Sequence, residues 1–173
     1  VDIIASDKTG TLTKNEMTLQ DIVIGQNHYS VTGVGYAPNG DILKDNQIVD
    51  ASQNTKLEMF LTMGQQANDT FLSKEDGLWQ INGEPTDAAF LSAYYKAFGQ
   101  KSPKLKEIDR IPFDSDYRYM ARLVENQLGQ RFIAIKGSPD KLFELANQST
   151  DFNEGYWTKL SQEFSKSGKR VIA

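Results

Sequence analysis

The chain has 173 residues, 39% of them hydrophobic and 24% charged, the balance of a globular protein with room for a real core. Its net charge of -4 excludes nucleic-acid binding through a broad basic surface. The lack of cysteine excludes disulfide frameworks and thiolate metal sites, and a single histidine, His28, excludes a histidine-built metal site or catalytic triad. No apolar run approaches the roughly 18 residues that cross a bilayer, and no basic leader precedes the first apolar run. Both ends read as cuts through strands, so the expectation is a piece of a longer polypeptide.

In chain order, Val1–Ser6 is short, apolar and β-branched, which predicts a buried strand. Asp7–Glu16 is a turn rich in Thr and Gly. Met17–Ile24 and His28–Thr32 are predicted strands around the turn GQN. Gly33–Asp50 reads as loop, with GVGYAPNGD supplying turn chemistry. Leu57, Phe60, Leu61 and Gly64 recur at helical spacing and predict a half-buried helix over Gln53–Asn68. A short strand is predicted around Leu78–Ile81.

In NGEPTDAAFLSAYYKAFG, Pro85 suits a first helical position, where its missing N–H costs nothing. Leu91, Tyr94, Tyr95 and Phe98 share one face of that helix, and Gly99 suits its end. Lys104–Phe113 reads as extended, and Met120–Glu125 with Arg131–Lys136 as a hairpin across NQLGQ. GSPDKLFELA opens a third helix with Ser138 as N-cap and Pro139 next. Trp157, Leu160 and Phe164 give a fourth helix a buried stripe, and Lys169–Ala173 is a predicted return to strand. Strands joined by short turns, with helices between groups of them, predict an α+β fold with an antiparallel twisted sheet flanked by helices. The one candidate domain boundary lies in the Asp7–Met17 turn.

Asp7 is an acid at the C-terminal end of a predicted buried strand, where open α/β sheets place their ligands. A carboxylate there can attack phosphorus and form an acyl phosphate. It then needs a divalent cation and nearby hydroxyl or N–H donors, which Thr9, Gly10 and Thr11 can supply. A strand-end acid that only stabilises a turn is the plainer reading of a generic D-x-T-G.

The full stretch DKTGTLTKNEMT resembles the phosphorylation signature of the P-type ATPases, ion pumps that cycle through an aspartyl phosphate, and it leans toward their calcium-pump-like branch. Further segments match the family in order. GEPTDAAF is similar to its Gly-x-x-Thr-Glu-x-Ala stretch, and Asp87 falls where the pumps carry an acid that hydrogen-bonds adenine. An acid in a first helical turn is also favoured by the helix dipole alone. FDSDYRYM resembles Phe-x-Ser-x-x-Lys-x-Met, whose Phe stacks on adenine. Phe113 takes that place, and Arg118 stands where Lys is usual, a departure that keeps the charge but not the geometry. KGSPD resembles Lys-Gly-Ala-Pro-Glu, whose Lys lines the nucleotide pocket, so Lys136 and Gly137 become binding candidates. GKRVIA resembles Gly-x-Arg-Val-Leu-Ala, whose Arg reaches the phosphates, here Arg170. Each of these also has a plain structural reading: Phe113 as core aromatic, Arg118 as a solvated strand residue, Lys136 and Gly137 as a strand running through a turn into a capped helix, Arg170 as the charged start of a strand.

The resemblance implies that residues 1–16 are a stub of the phosphorylation domain and residues 17–173 the nucleotide-binding domain of such a pump. It implies ATP and Mg2+ as cofactors, with Asp7 as phosphoryl acceptor and Asp7 and Thr9 holding an incomplete magnesium site. It implies as partners the remaining phosphorylation, actuator and membrane domains of the same polypeptide, and places this piece on the cytoplasmic side of a membrane protein. The motifs that complete the magnesium site are not in the sequence, so the expected activity is nucleotide binding without turnover. A phosphatase of the haloacid-dehalogenase type with a large cap is the enzyme alternative. Its signature carries a second Asp where this chain has Thr9. A non-catalytic interaction module on the same fold is the third reading.

Overall fold

The computed structural model describes residues 2, 3, 5, 16–101, 103–147 and 149–173. Among these, strands and helices mix in the expected α+β manner, and all strand pairings are antiparallel. The strands fall into three separate ladders rather than one sheet. The chain divides into two compact units, Val1–Pro103 and Lys104–Ala173, each described by itself below.

In the first unit, β1 (Asp21–Ile24), β2 (Asn27–Val31), β3 (Ile42–Lys44) and β4 (Gln47–Ile48) form a four-stranded meander. The sequence places the first of these strands at Met17, but Glu16–Gln20 is irregular. Its polar groups go elsewhere: the Thr18 hydroxyl accepts the Gly35 N–H at 3.0 Å, tying the segment to the 33–40 loop. That loop is also shorter than expected. The β3–β4 hairpin turns on Asp45 (φ 51) and Asn46 (φ 63), the two left-handed residues a tight primed turn requires. The predicted strand Val1–Ser6 does not appear at Asp2, Ile3 or Ala5, and Ile3 is 84% exposed. None of the described strands offers it a ladder.

A short 3-10 turn (Ala51–Gln53) leads into α1 (Thr55–Gln66), whose first free N–H groups are capped by the Asn54 side chain accepting from Leu57 N–H. Then come β5 (Phe71–Glu75), β6 (Leu78–Asn82) and α2 (Pro85–Phe98). Only one strand is predicted where β5 and β6 pair, across Asp76 (φ 49) and Gly77 (φ 84). Pro85 opens α2 and Gly99 (φ 69) closes it as expected, with Gly99 N–H reaching Tyr95 O at 2.9 Å. The core of this unit gathers Ile22, Tyr29, Ile42, Leu57, Leu61 and Tyr94. α1 approaches α2 at Gly64, where an added Cβ would lie 2.8 Å from the Phe90 ring.

The second unit holds the ladder β7 (Leu105–Asp114), β8 (Tyr119–Asn126) and β9 (Arg131–Gly137), then α3 (Pro139–Ala146) and α4 (Glu154–Lys166). Its buried apolar side chains include Met120, Ala121, Val124 and Ala134, and Phe143 and Phe152 are in contact at 5.6 Å between centroids. The stripe Trp157, Leu160 and Phe164 on α4 is half-buried, not buried as the sequence suggests. Lys169–Ala173 is not a strand. One ladder-like step survives there: Gly137 and Ala173 exchange both backbone hydrogen bonds, at 2.9 and 3.0 Å.

Candidate functional site

β7 carries a bulge at its far end. Ile111 pairs with Ala121 and Asp114 with Tyr119, so Pro112 and Phe113 together stand opposite Met120. Proline cannot donate to a ladder, which suits it to such a break. Met120 in turn pairs with Lys136 on β9. Phe113, Met120 and Lys136 thus share one cross-strand row, with about 10 Å between the outer strands. The ring of Phe113 is 62% exposed, whereas Lys136 is only 7% exposed. An exposed aromatic at a bulge is available for stacking, and bulges commonly re-aim side chains beside functional sites. A lysine this buried is rare in a core without a specific role or partner.

Arg118 sits in the turn between β7 and β8 with φ 60, a left-handed conformation uncommon for a residue with a long side chain. Its N–H donates to Asp114 O at 2.7 Å, and its carbonyl accepts the Ser138 N–H at 2.9 Å. Its guanidinium donates to Asp140 at the start of α3, at 2.5 Å. The Ser138 hydroxyl first, and then the Arg118 guanidinium, hold the Asp140 carboxyl below the usual carboxylate range. Ser138 occupies the expected N-cap position, with extended backbone, but its side chain makes no capping bond. The reason for Gly137 is local: an added Cβ would meet Arg118 O at 2.5 Å and the Tyr119 Cβ at 2.5 Å.

Phe113, Arg118, Lys136 and Gly137 therefore converge on one end of the β7–β8–β9 ladder. Arg170 is exposed, just ahead of Ala173, whose backbone pair with Gly137 brings that segment to the same end of β9.

Asp87 lies in the first unit, half-buried in the first turn of α2. Its carboxylate accepts the Asp69 N–H at 3.2 Å, and its carbonyl accepts from the Asn68 side chain at 2.8 Å. Next to it, the Thr70 hydroxyl accepts the Glu84 N–H at 2.9 Å. Gly83 (φ 132) is required there, because an added Cβ would lie 2.3 Å from the Thr70 hydroxyl oxygen. The Asn68–Asp69–Thr70 turn thus fixes the GEPTD stretch, a support the sequence alone does not reveal.

Asp7 and Thr9, and the magnesium site expected of them, lie outside the described residues. Among the described residues no group of three or more acids and histidines could hold a metal ion. None of their helices is long and apolar enough to cross a membrane.

The family described as "P-type ATPase, cytoplasmic domain N" matches residues 56–173, more than half of the chain. The chain belongs to that family. The match covers most of the residues that carry the resemblance, from Asp87 to Arg170. Relatives of this N domain include "Cation-transporting ATPase pma1" of Synechocystis sp., 34% identical over 99% of the chain and 20% of the relative. "Calcium-transporting ATPase" of Bacillus subtilis is 34% identical over 84% of the chain and 17% of its own length. "Calcium-transporting ATPase 1" of Lactococcus lactis is 32% identical over 99% of the chain and 18% of its own length. The chain spans about a fifth of the length of these relatives. It is thus a domain of the kind that works within a larger polypeptide, and its family is that of the cytoplasmic domain, as the motifs imply.

Proposed function

We propose that this chain is the ATP-binding portion of a cation-transporting P-type ATPase, with residues 1–16 contributed to the phosphorylation domain and residues 17–173 forming the nucleotide-binding domain. The observation that carries this reading is the bulged row in which an exposed Phe113 shares a rung with the buried Lys136. An aromatic face takes a base of any sequence, and cationic side chains beside it take the phosphates. In this reading adenine stacks on Phe113 in the second unit, and Asp87, in the first, is a further nucleotide-binding candidate. Lys136, Arg118 and Arg170 supply positive charge, and Gly137 keeps the strand end compact beside them.

In the whole protein, a hinge near Met17 brings the terminal phosphate to Asp7. The carboxylate then takes the phosphoryl group as ADP leaves. Mg2+, when bound with help from Asp7 and Thr9, offsets the phosphate charge. Formation and breakdown of the aspartyl phosphate drive cation transport through membrane and actuator domains outside this chain. Calcium is the favoured ion, since two relatives carry calcium transport in their names. The isolated chain binds ATP with modest affinity and does not turn it over.

Calorimetric titration of the chain with ATP tests this. Binding should weaken in both Asp87→Ala and Phe113→Ala. Indifference to both substitutions points to a module that does not use nucleotide, and steady hydrolysis by the purified chain contradicts the incomplete catalytic site.

A further inference from the structure

Arg118 does not wait empty-handed for a ligand: its guanidinium donates to Asp140 through one nitrogen, at 2.5 Å. Given the nucleotide reading of this site, we propose that Asp140 is a built-in competitor for the nucleotide's phosphates, occupying Arg118 until a more highly charged anion displaces it.

Three features of the pair support this. First, the partners are 45% and 60% exposed, so breaking the contact costs little in net free energy. Second, a guanidinium is matched as well to phosphate as to carboxylate, and a polyphosphate carries more charge than Asp140. Third, the exchange needs no backbone movement. The main chain of Arg118 is pinned by Asp114 on one side and Ser138 on the other, and its φ of 60 is fixed within the turn. Asp140 is fixed as firmly, on the first turn of α3 directly after Pro139. Only the two side chains need rotate.

Asp140 thereby acts through Arg118 as a positioning residue. It lowers the affinity of ligands whose phosphates recruit Arg118 and leaves those without phosphate untouched. A lysine in place of Arg118 would lack the planar fork that lets one guanidinium be handed between two anions.

The test is a titration of the chain and four variants with ATP and with adenosine. Asp140→Asn should tighten ATP about threefold to fivefold, the size an exposed ion pair allows, and leave adenosine unchanged. Asp140→Glu, which keeps the charge, should keep the ATP affinity of the parent chain. In an Arg118→Met background the gain from Asp140→Asn should vanish. Unchanged or weaker ATP binding in Asp140→Asn overturns the proposal, as does a gain that persists without Arg118. If the parent chain shows no ATP binding at all, the nucleotide reading itself fails and this inference falls with it. Equal ATP binding by the parent chain and Asp140→Asn removes the competitor alone.

Discussion

Phe113 and Lys136 occupy the same cross-strand row, separated by Met120, because a bulge inserts one extra residue into β7 between Ile111 and Asp114. Without that insertion Phe113 would pair with Tyr119 and its row would end at Gly137. The bulge thus decides that the aromatic ring shares its row with a lysine rather than a glycine.

Phe113→Ala should separate binding from folding. Loss of a stacking face costs about 1–3 kcal/mol of binding to a base. A residue this exposed contributes roughly 0.5 kcal/mol or less to stability. ATP titration should therefore show a clear loss of affinity while the thermal unfolding midpoint hardly moves.

Lys136→Met removes the charge and keeps most of the buried volume. ATP affinity should fall, because the cation offered to the phosphates is gone. Denaturant unfolding paired with ATP titration separates a loss of binding from a loss of folding. A variant that unfolds easily and binds normally would make Lys136 structural.

Arg118→Gly tests the left-handed turn. Glycine relieves a backbone cost of about 1 kcal/mol at positive φ, and the exposed pair it gives up is worth about 0–1 kcal/mol. The unfolding midpoint should be no lower than that of the parent chain, and ATP should bind more weakly. This is the signature of a residue kept for function against local backbone preference.

Gly83→Ala should destabilise the first unit by about 1–3 kcal/mol, since the new methyl collides with Thr70 in a backbone conformation that also disfavours alanine. Chemical denaturation followed by circular dichroism measures it. Thr70→Ala should not rescue the variant, because the Thr70 Cα itself lies 2.9 Å from the added atom.

The pH dependence has a definite sign on the alkaline side. Burial raises the phenols of Tyr36 and Tyr94 above their usual 10.0. A group whose folded pKa is raised contributes stability that is present below its unfolded pKa and lost as pH rises through the folded one. Thermal midpoints should therefore fall as pH climbs past about 10, and less steeply in Tyr36→Phe and Tyr94→Phe.

Much of the fold was legible because its signals are local. Pro85 and Gly99 bracket α2, and the two apolar runs around NQLGQ pair as β8 and β9. The two hairpins missed, at Asp45–Asn46 and Asp76–Gly77, were also locally encoded. Their D-N and D-G pairs are strong turn signals, masked by strands too short and too exposed to alternate clearly. The candidate site was legible as motifs but not as geometry. Phe113, Arg118 and Lys136 were named only through the resemblance of FDSDYRYM and KGSPD to the family's motifs, and the bulge that sets Phe113 beside Met120 depends on pairing register, which no single strand displays. Asp140 was visible as the acid of KGSPD, but its hold on Arg118 bridges two turns far apart in sequence. The support of Asp87 by Asn68, Asp69 and Thr70 is non-local in the same way.

The most direct test of the central claim is a nuclear magnetic resonance titration of the chain with ATP, following backbone amides. Saturable shifts concentrated at Phe113, Arg118, Lys136 and Gly137, and at Asp87, by millimolar nucleotide are the predicted result. Shifts that spare Phe113 and Lys136 at that concentration would contradict it.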